Sequence, residues 1–143
     1  MNWMNELTAE FEKTFIRDDR YKVFVTGFKN TILITLVSLC VGLIAGILIA
    51  IARYGFRQMK RKAAVTWYAK LWYAICWVAD KILALYVAVI RGVPLVVQLL
   101  IMAFVVMAGF PNKIVVCCIA MGLNSAAYVS EVVRGGINAV DVG

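Results

Sequence analysis

The sequence of 143 residues has no histidine, only two prolines and few charged residues. The lack of histidine excludes imidazole catalysis and histidine-based metal sites. The four cysteines form no CxxC pair and lie in apolar stretches, which favours buried, unreactive thiols over a disulfide framework or a metal site. The phosphate-binding patterns GxxxxGKS/T and GxGxxG are also absent. We therefore expect neither catalysis nor a bound cofactor.

Apolar residues dominate what is present. The residue types AVILMFWYC make up 64% of the chain, and charged residues make up 16%, against about 25% in ordinary soluble domains. A soluble fold of this size leaves much of its surface exposed and cannot bury so much apolar material. The apolar residues are also gathered in long uncharged runs. The composition therefore predicts an all-α, polytopic membrane protein.

Three apolar runs predict membrane spans at about 30–52, 82–108 and 114–134. A helix over 82–108 would be about 40 Å long, whereas the hydrocarbon core is about 30 Å thick. The segment 91–94 therefore lies in the headgroup zone or marks a kink, because Pro94 removes a backbone donor. A tight turn is predicted at 109–112, and Gly135 with Gly136 is the predicted stop of the third helix.

The loops differ in charge. Residues 53–81 contain seven Lys or Arg and a single acid, whereas the loop near 109–113 has one basic residue. The positive-inside rule then places the first loop in the cytoplasm and the N-terminal segment 1–29 outside. We interpret the net charge of +7 as charge beside the membrane spans that sets the topology, and not as evidence for a nucleic-acid site. Residues 65–79 are aromatic, and we interpret them as a helix in the membrane interface in preference to a fourth span.

Polar side chains inside the spans are the candidate functional residues, because such groups cost free energy in a bilayer. Three of them follow an i, i+4, i+7 spacing in the third span and share one helical face. Two others are seven residues apart in the second span. One interpretation is a substrate path or gate; the other is interhelical hydrogen bonding, with Glu131 only pairing with Arg134 at the interface. The candidates are Asn124, Tyr128, Glu131, Gln98 and Arg91.

Two segments carry a resemblance to a known family. Residues 91–99, RGVPLVVQL, resemble the RGxPLxxQL segment of polar amino acid permeases, the membrane subunits of type I ABC importers of the histidine, glutamine and arginine type. Residues 123–137, LNSAAYVSEVVRGGI, resemble the LNSxAYxxExxRGGI segment of the same family. The resemblance covers about 24–143. The structural positions of the family pattern are Gly92, Pro94, Arg134, Gly135 and Gly136.

The resemblance implies a permease subunit in the cytoplasmic (inner) membrane, with 30–143 forming the N-terminal part of its transmembrane domain. It also implies cytoplasmic ABC ATPase subunits, an extracytoplasmic amino-acid-binding protein and a second permease subunit as partners. ATP hydrolysis would belong to the ATPase subunits. The pattern stops where the family's cytoplasmic EAA coupling loop would begin, so we expect a fragment. The competing hypothesis is a small three-span interaction or assembly protein without transport activity.

Overall fold

The structure is a computed structural model that describes residues 2–16, 19–59 and 67–140. Within these ranges the chain forms helices and turns and no strand. Three of the described helices are long and apolar enough to cross a membrane, which confirms the predicted all-α membrane class. The helices are α1 (Asn2–Phe11), α2 (Tyr21–Met59), α3 (Trp67–Gly92), α4 (Leu95–Ile101) and α5 (Lys113–Ala139), with π-helical turns at Glu12–Ile16 and Met102–Val106.

Helix α2 extends past the predicted span 30–52 at both ends. It has 39 residues and a length of about 58 Å, which is nearly twice the thickness of the hydrocarbon core. Lys29 and Arg53 end the uncharged run but do not end the helix, since a charged side chain leaves the backbone hydrogen bonds intact. The basic residues at 60–62 lie outside the described residues.

The predicted span 82–108 is interrupted in the structure. Helix α3 ends at Gly92 and α4 begins at Leu95, so the helix is broken at Pro94, which is one of the two predicted alternatives. The aromatic stretch is likewise not a separate helix: from Trp67 onward it forms the first half of α3, while residues 65 and 66 lie outside the described residues. Nothing between the two predicted segments breaks a helix, and α3 therefore has 26 residues.

The turn lies at 107–110, two residues before the predicted 109–112, and α5 follows it. The side chain of Asn112 caps α5 by accepting hydrogen bonds from the backbone N–H groups of Ile114 (3.0 Å) and Val115 (3.4 Å). The predicted stop at Gly135 and Gly136 is wrong, because α5 continues to Ala139. A glycine inside a helix costs only about 1 kcal/mol relative to alanine, and the hydrogen-bond ladder can continue through it.

Helices α2 and α5 pack against each other in parallel. Ser38 donates a hydrogen bond to the carbonyl of Cys118 (3.2 Å), and further along both helices Gly46 lies against Val129. A Cβ atom added at Gly46 would lie 2.6 Å from the Val129 Cβ, and one added at Gly42 would overlap the Ser125 side chain. Gly42 and Gly46, which form a GxxxG pair on α2, therefore allow α5 to approach closely, as small residues do between membrane helices.

The second half of the chain returns beside α5 in the opposite direction. The side chain of Tyr86 on α3 donates to the carbonyl of Leu123 (2.6 Å), whereas Lys113 at the start of α5 donates to the carbonyl of Ala108 (3.2 Å). Arg91 at the end of α3 lies beside Glu131 near the end of α5, so the path from Arg91 through α4 to Lys113 runs antiparallel to α5. Most large apolar side chains of the bundle are exposed, while several of its buried positions are small residues, as expected for helices surrounded by lipid.

Candidate functional site

A buried arginine joins the three long helices. Arg53 on α2 is only 5% exposed. Its Nε donates to Oδ1 of Asp80 on α3 (3.3 Å), and its Nη1 donates to Oε1 of Glu131 on α5 (3.0 Å). A buried charge is tolerated when it is paired and hydrogen-bonded in this way. This ion pair network fixes where the three helices meet.

Glu131 is the centre of the cluster. In addition to Arg53, its carboxylate accepts hydrogen bonds from Nε (3.0 Å) and Nη2 (2.5 Å) of Arg134, one turn further along α5. The Nη1 atom of Arg91 lies 3.6 Å from Oε2. The Glu131 side chain is 18% exposed. The predicted pairing with Arg134 is therefore present, and it is part of a network in which three guanidinium groups surround one carboxylate.

Arg91 is the most accessible member of this network. It lies in the last turn of α3, its side chain is 44% exposed, and its guanidinium carbon is 5.4 Å from the ring centroid of Tyr128. This geometry is a cation–π contact. Arg91, Tyr128 and Glu131, three of the predicted candidates, are thus brought together. They line an open cavity of about 510 Å³ whose other lining residues include Arg53, Arg57, Gly92 and Arg134.

Gln98 does not join the cluster. Its Nε2 donates to the carbonyls of Ile90 (2.6 Å) and Val93 (2.7 Å) at the break between α3 and α4. Pro94 has no N–H, so in a helix it leaves the carbonyl four residues earlier, that of Ile90, without its backbone donor. The Gln98 amide supplies that donor. Gln98 also faces a separate, mostly apolar cavity of about 220 Å³ that includes Val93.

The remaining predicted positions have different surroundings. Asn124 is half-buried and does not line the arginine-rich cavity, although it lies on α5 with Tyr128. Gly135 and Gly136 have open space where a Cβ would be. In the described part of the chain, no three His, Cys, Asp or Glu side chains form a group that could hold a metal ion.

No sequence pattern identifies Arg53 and Asp80 as members of the site. Arg53 is one of seven basic residues predicted to set the topology, and Asp80 is the acid among them. The available signal was that Asp80 is the single acid in a strongly basic segment. A lone carboxylate in such a segment has many potential partners, but its actual partner depends on how α2 and α3 cross.

Comparison with known proteins identifies related sequences. The chain is 37% identical over 121 residues to the arginine transport system permease protein ArtQ of Bacillus subtilis, covering 82% of the chain and 46% of that protein. It is 31% identical over 131 residues to the probable amino-acid ABC transporter permease protein YckA of the same organism, covering 87% and 48% respectively. It is 25% identical over 126 residues to the glutamine transport system permease protein GlnP of Escherichia coli, covering 85% and 48%.

No family model matches the chain, and no solved structure matches it. The chain spans about half the length of the curated relatives it matches. All three relatives carry the word permease in their names, and the matched region includes most of this chain. The chain is therefore homologous to amino acid ABC transporter permeases.

Proposed function

We propose that the chain forms part of the membrane subunit of an ABC importer for polar amino acids, and contributes to its substrate path. The observation that carries this proposal is the similarity to ArtQ, YckA and GlnP over 82–87% of the chain. In this proposal the chain is not an enzyme. Cytoplasmic ABC ATPase subunits hydrolyse ATP, an extracytoplasmic binding protein delivers the amino acid, and a second permease subunit completes the path in the cytoplasmic membrane.

The proposed topology has the N-terminal segment outside and the basic segment after α2 in the cytoplasm. The parallel packing of α2 and α5 supports three crossings. Two parallel helices that both cross a bilayer must be joined by a segment that crosses it once, or another odd number of times. If α3 and α4 each crossed separately, α5 would be antiparallel to α2. We therefore propose that the aromatic half of α3 lies in the interface and that α3 and α4 together make one crossing.

In this topology the charged cluster lies at the cytoplasmic end of the path. Arg53 ends the uncharged run of α2, and Glu131 and Arg134 lie in the last part of α5. Charged groups at such a depth are placed toward a protein interior or a water-filled cavity. We propose that Arg91, Tyr128 and Glu131 form an inner gate, that Asn124 lines the path above it, and that Gln98 maintains the shape of the helix break.

The test uses the chromosomal gene in its native host, so that the protein retains its natural length and partners. Glu131→Gln should lower uptake of radiolabelled polar amino acids, normalised to the amount of permease in the membrane, by well over twofold. The control is Glu6→Gln, the same carboxylate-to-amide exchange at an exposed residue of α1. Normalisation is needed because removing one partner of a buried ion pair destabilises proteins by about 3–5 kcal/mol.

Two results would count against the proposal at different levels. Uptake within twofold of the parent at equal abundance would remove Glu131 from the gate and leave the permease assignment in place. Deletion of the gene with no effect on uptake of arginine, glutamine, histidine or other polar amino acids would contradict the permease assignment. The chain would then be better described as a membrane interaction protein.

A further inference from the structure

We propose that the arginine-lined cavity binds a phosphate group, and that its source is the headgroup of an anionic phospholipid. The cavity has a volume of about 510 Å³ and is lined by four arginines, two from α2, one from α3 and one from α5. These are Arg53, Arg57, Arg91 and Arg134. Guanidinium groups hold phosphate oxygens through paired, charge-assisted hydrogen bonds. The inference rests on the proposed membrane topology and not on the transport function.

The charges of the cavity do not balance internally. Glu131 neutralises one guanidinium, and Asp80 neutralises Arg53 from the α3 side. Two positive charges are left over. Arg134 is held by two hydrogen bonds to Glu131, but the contact between Arg91 and Glu131 is long, at 3.6 Å. For Arg57, no ion pair is present in the part of the chain that the structure describes. Arg91 and Arg57 are therefore the groups with capacity for an added anion.

The position of the cavity favours a lipid as the source. It lies where the uncharged run of α2 ends at Arg53 and where the apolar stretch of α3 ends at Arg91. In the proposed topology this is the level of the cytoplasmic phospholipid headgroups. Part of the lining is apolar, because Ala84, Val87 and Ala88 of α3 contribute to it. Basic pockets between membrane helices at this depth bind anionic headgroups.

The experiment measures ligand binding to the purified full chain in neutral detergent micelles. One arm titrates phosphatidylglycerol, a second titrates phosphatidylcholine, and a third titrates inorganic phosphate without lipid. Bound lipid is counted by native mass spectrometry, and the shift of the unfolding midpoint reports binding in all three arms. The parent should bind phosphatidylglycerol and not phosphatidylcholine at the same concentrations.

The variant Arg57→Gln/Arg91→Gln should bind phosphatidylglycerol about thirtyfold more weakly, since each basic residue near a lipid headgroup contributes about fivefold. The matched control is Arg20→Gln/Lys29→Gln, which removes two exposed positive charges near the opposite end of α2. It should bind like the parent. Arg57→Lys/Arg91→Lys keeps both charges and should keep most of the affinity. Arg57→Gln alone should lose about fivefold, and it removes no ion pair of the described structure.

The arms separate the two sources of phosphate. The lipid site is supported if the glutamine variant loses phosphatidylglycerol binding and the control keeps it. Binding of inorganic phosphate with the same pattern, and no preference between the lipids, supports the phosphate site with a soluble source and overturns the lipid assignment. Equal binding of both lipids without a phosphate effect overturns the proposal. So does an equal loss of affinity in the glutamine variant and the control.

Discussion

The helix break at Pro94 makes a quantitative prediction for Gln98. The side-chain amide of Gln98 donates to two backbone carbonyls, those of Ile90 (2.6 Å) and Val93 (2.7 Å), beside a mostly apolar cavity. Gln98→Leu keeps a side chain of similar size but removes both donors. A buried carbonyl left without a partner costs about 1–3 kcal/mol. Hydrogen bonds between membrane helices average about 0.6 kcal/mol. We therefore expect Gln98→Leu to lower the free energy of unfolding by about 2 kcal/mol.

A second substitution tests the cause of that loss. Pro94→Ala restores a backbone N–H at position 94, which can donate to the carbonyl of Ile90 if the helix becomes continuous. Gln98→Leu should then cost less in the Pro94→Ala background than in the parent. Residues that share one hydrogen-bond partner typically show coupling energies of about 0.5–3 kcal/mol in such a cycle. We expect a coupling of about 1 kcal/mol.

The assay is equilibrium unfolding by SDS in mixed micelles, followed by helical circular dichroism. Gln58→Leu is the matched control, because Gln58 is exposed and, among the residues that the structure describes, its amide donates only to the Tyr54 hydroxyl. Exposed substitutions of this kind stay within about 0.5 kcal/mol of the parent. The reasoning fails if Gln98→Leu also stays within that range. It fails equally if the effects of Gln98→Leu and Pro94→Ala simply add.

Two further predictions concern the packing and the topology. Gly42→Ala and Gly46→Ala should each weaken the contact between α2 and α5 and lower the SDS unfolding midpoint. Gly55→Ala should leave the midpoint unchanged or raise it, because a Cβ at that position has nothing within 4 Å. Equal effects of all three substitutions would contradict the close packing. In a variant without native cysteines, a membrane-impermeant maleimide added to intact cells should label a cysteine at Pro111 and not one at Gln58. Labelling at Gln58 would overturn the proposed orientation.

The sequence predicts the class of the fold and the existence of the helices well. Composition alone excludes a soluble domain, and the apolar runs coincide with parts of α2, α3 to α4, and α5. Helix ends are predicted poorly for a physical reason. Charged residues such as Lys29 mark where an apolar run ends, but a helix ends only where its hydrogen bonds end. Pro94 interrupts that ladder, whereas Gly135 does not interrupt it.

The candidate site is only partly predictable because its contacts join distant parts of the chain. The spacing on α5 places Tyr128 and Glu131 on one face, and this required nothing beyond helical geometry. The partnership of Arg53 with Asp80 depends on how two helices cross, and periodicity carries no information about that angle. The role of Gln98 was obscured in a similar way, because its partners are backbone carbonyls, which have no signature in a sequence.

Two separate features of α2 set its register against α5, and their consistency follows from helix geometry. Measured along each helix, Arg53 lies about 10 Å beyond Gly46, whereas Glu131 lies only about 3 Å beyond Val129. Because Gly46 lies against Val129, the guanidinium of Arg53 must extend about 7 Å toward the N-terminus of α2 to contact the carboxylate of Glu131. Side chains on a helix lean toward its N-terminus, and arginine is long enough to cover that distance. The contact between Gly46 and Val129 and the buried ion pair thus specify the same register of the two helices. A shift of α5 by one turn would break both contacts.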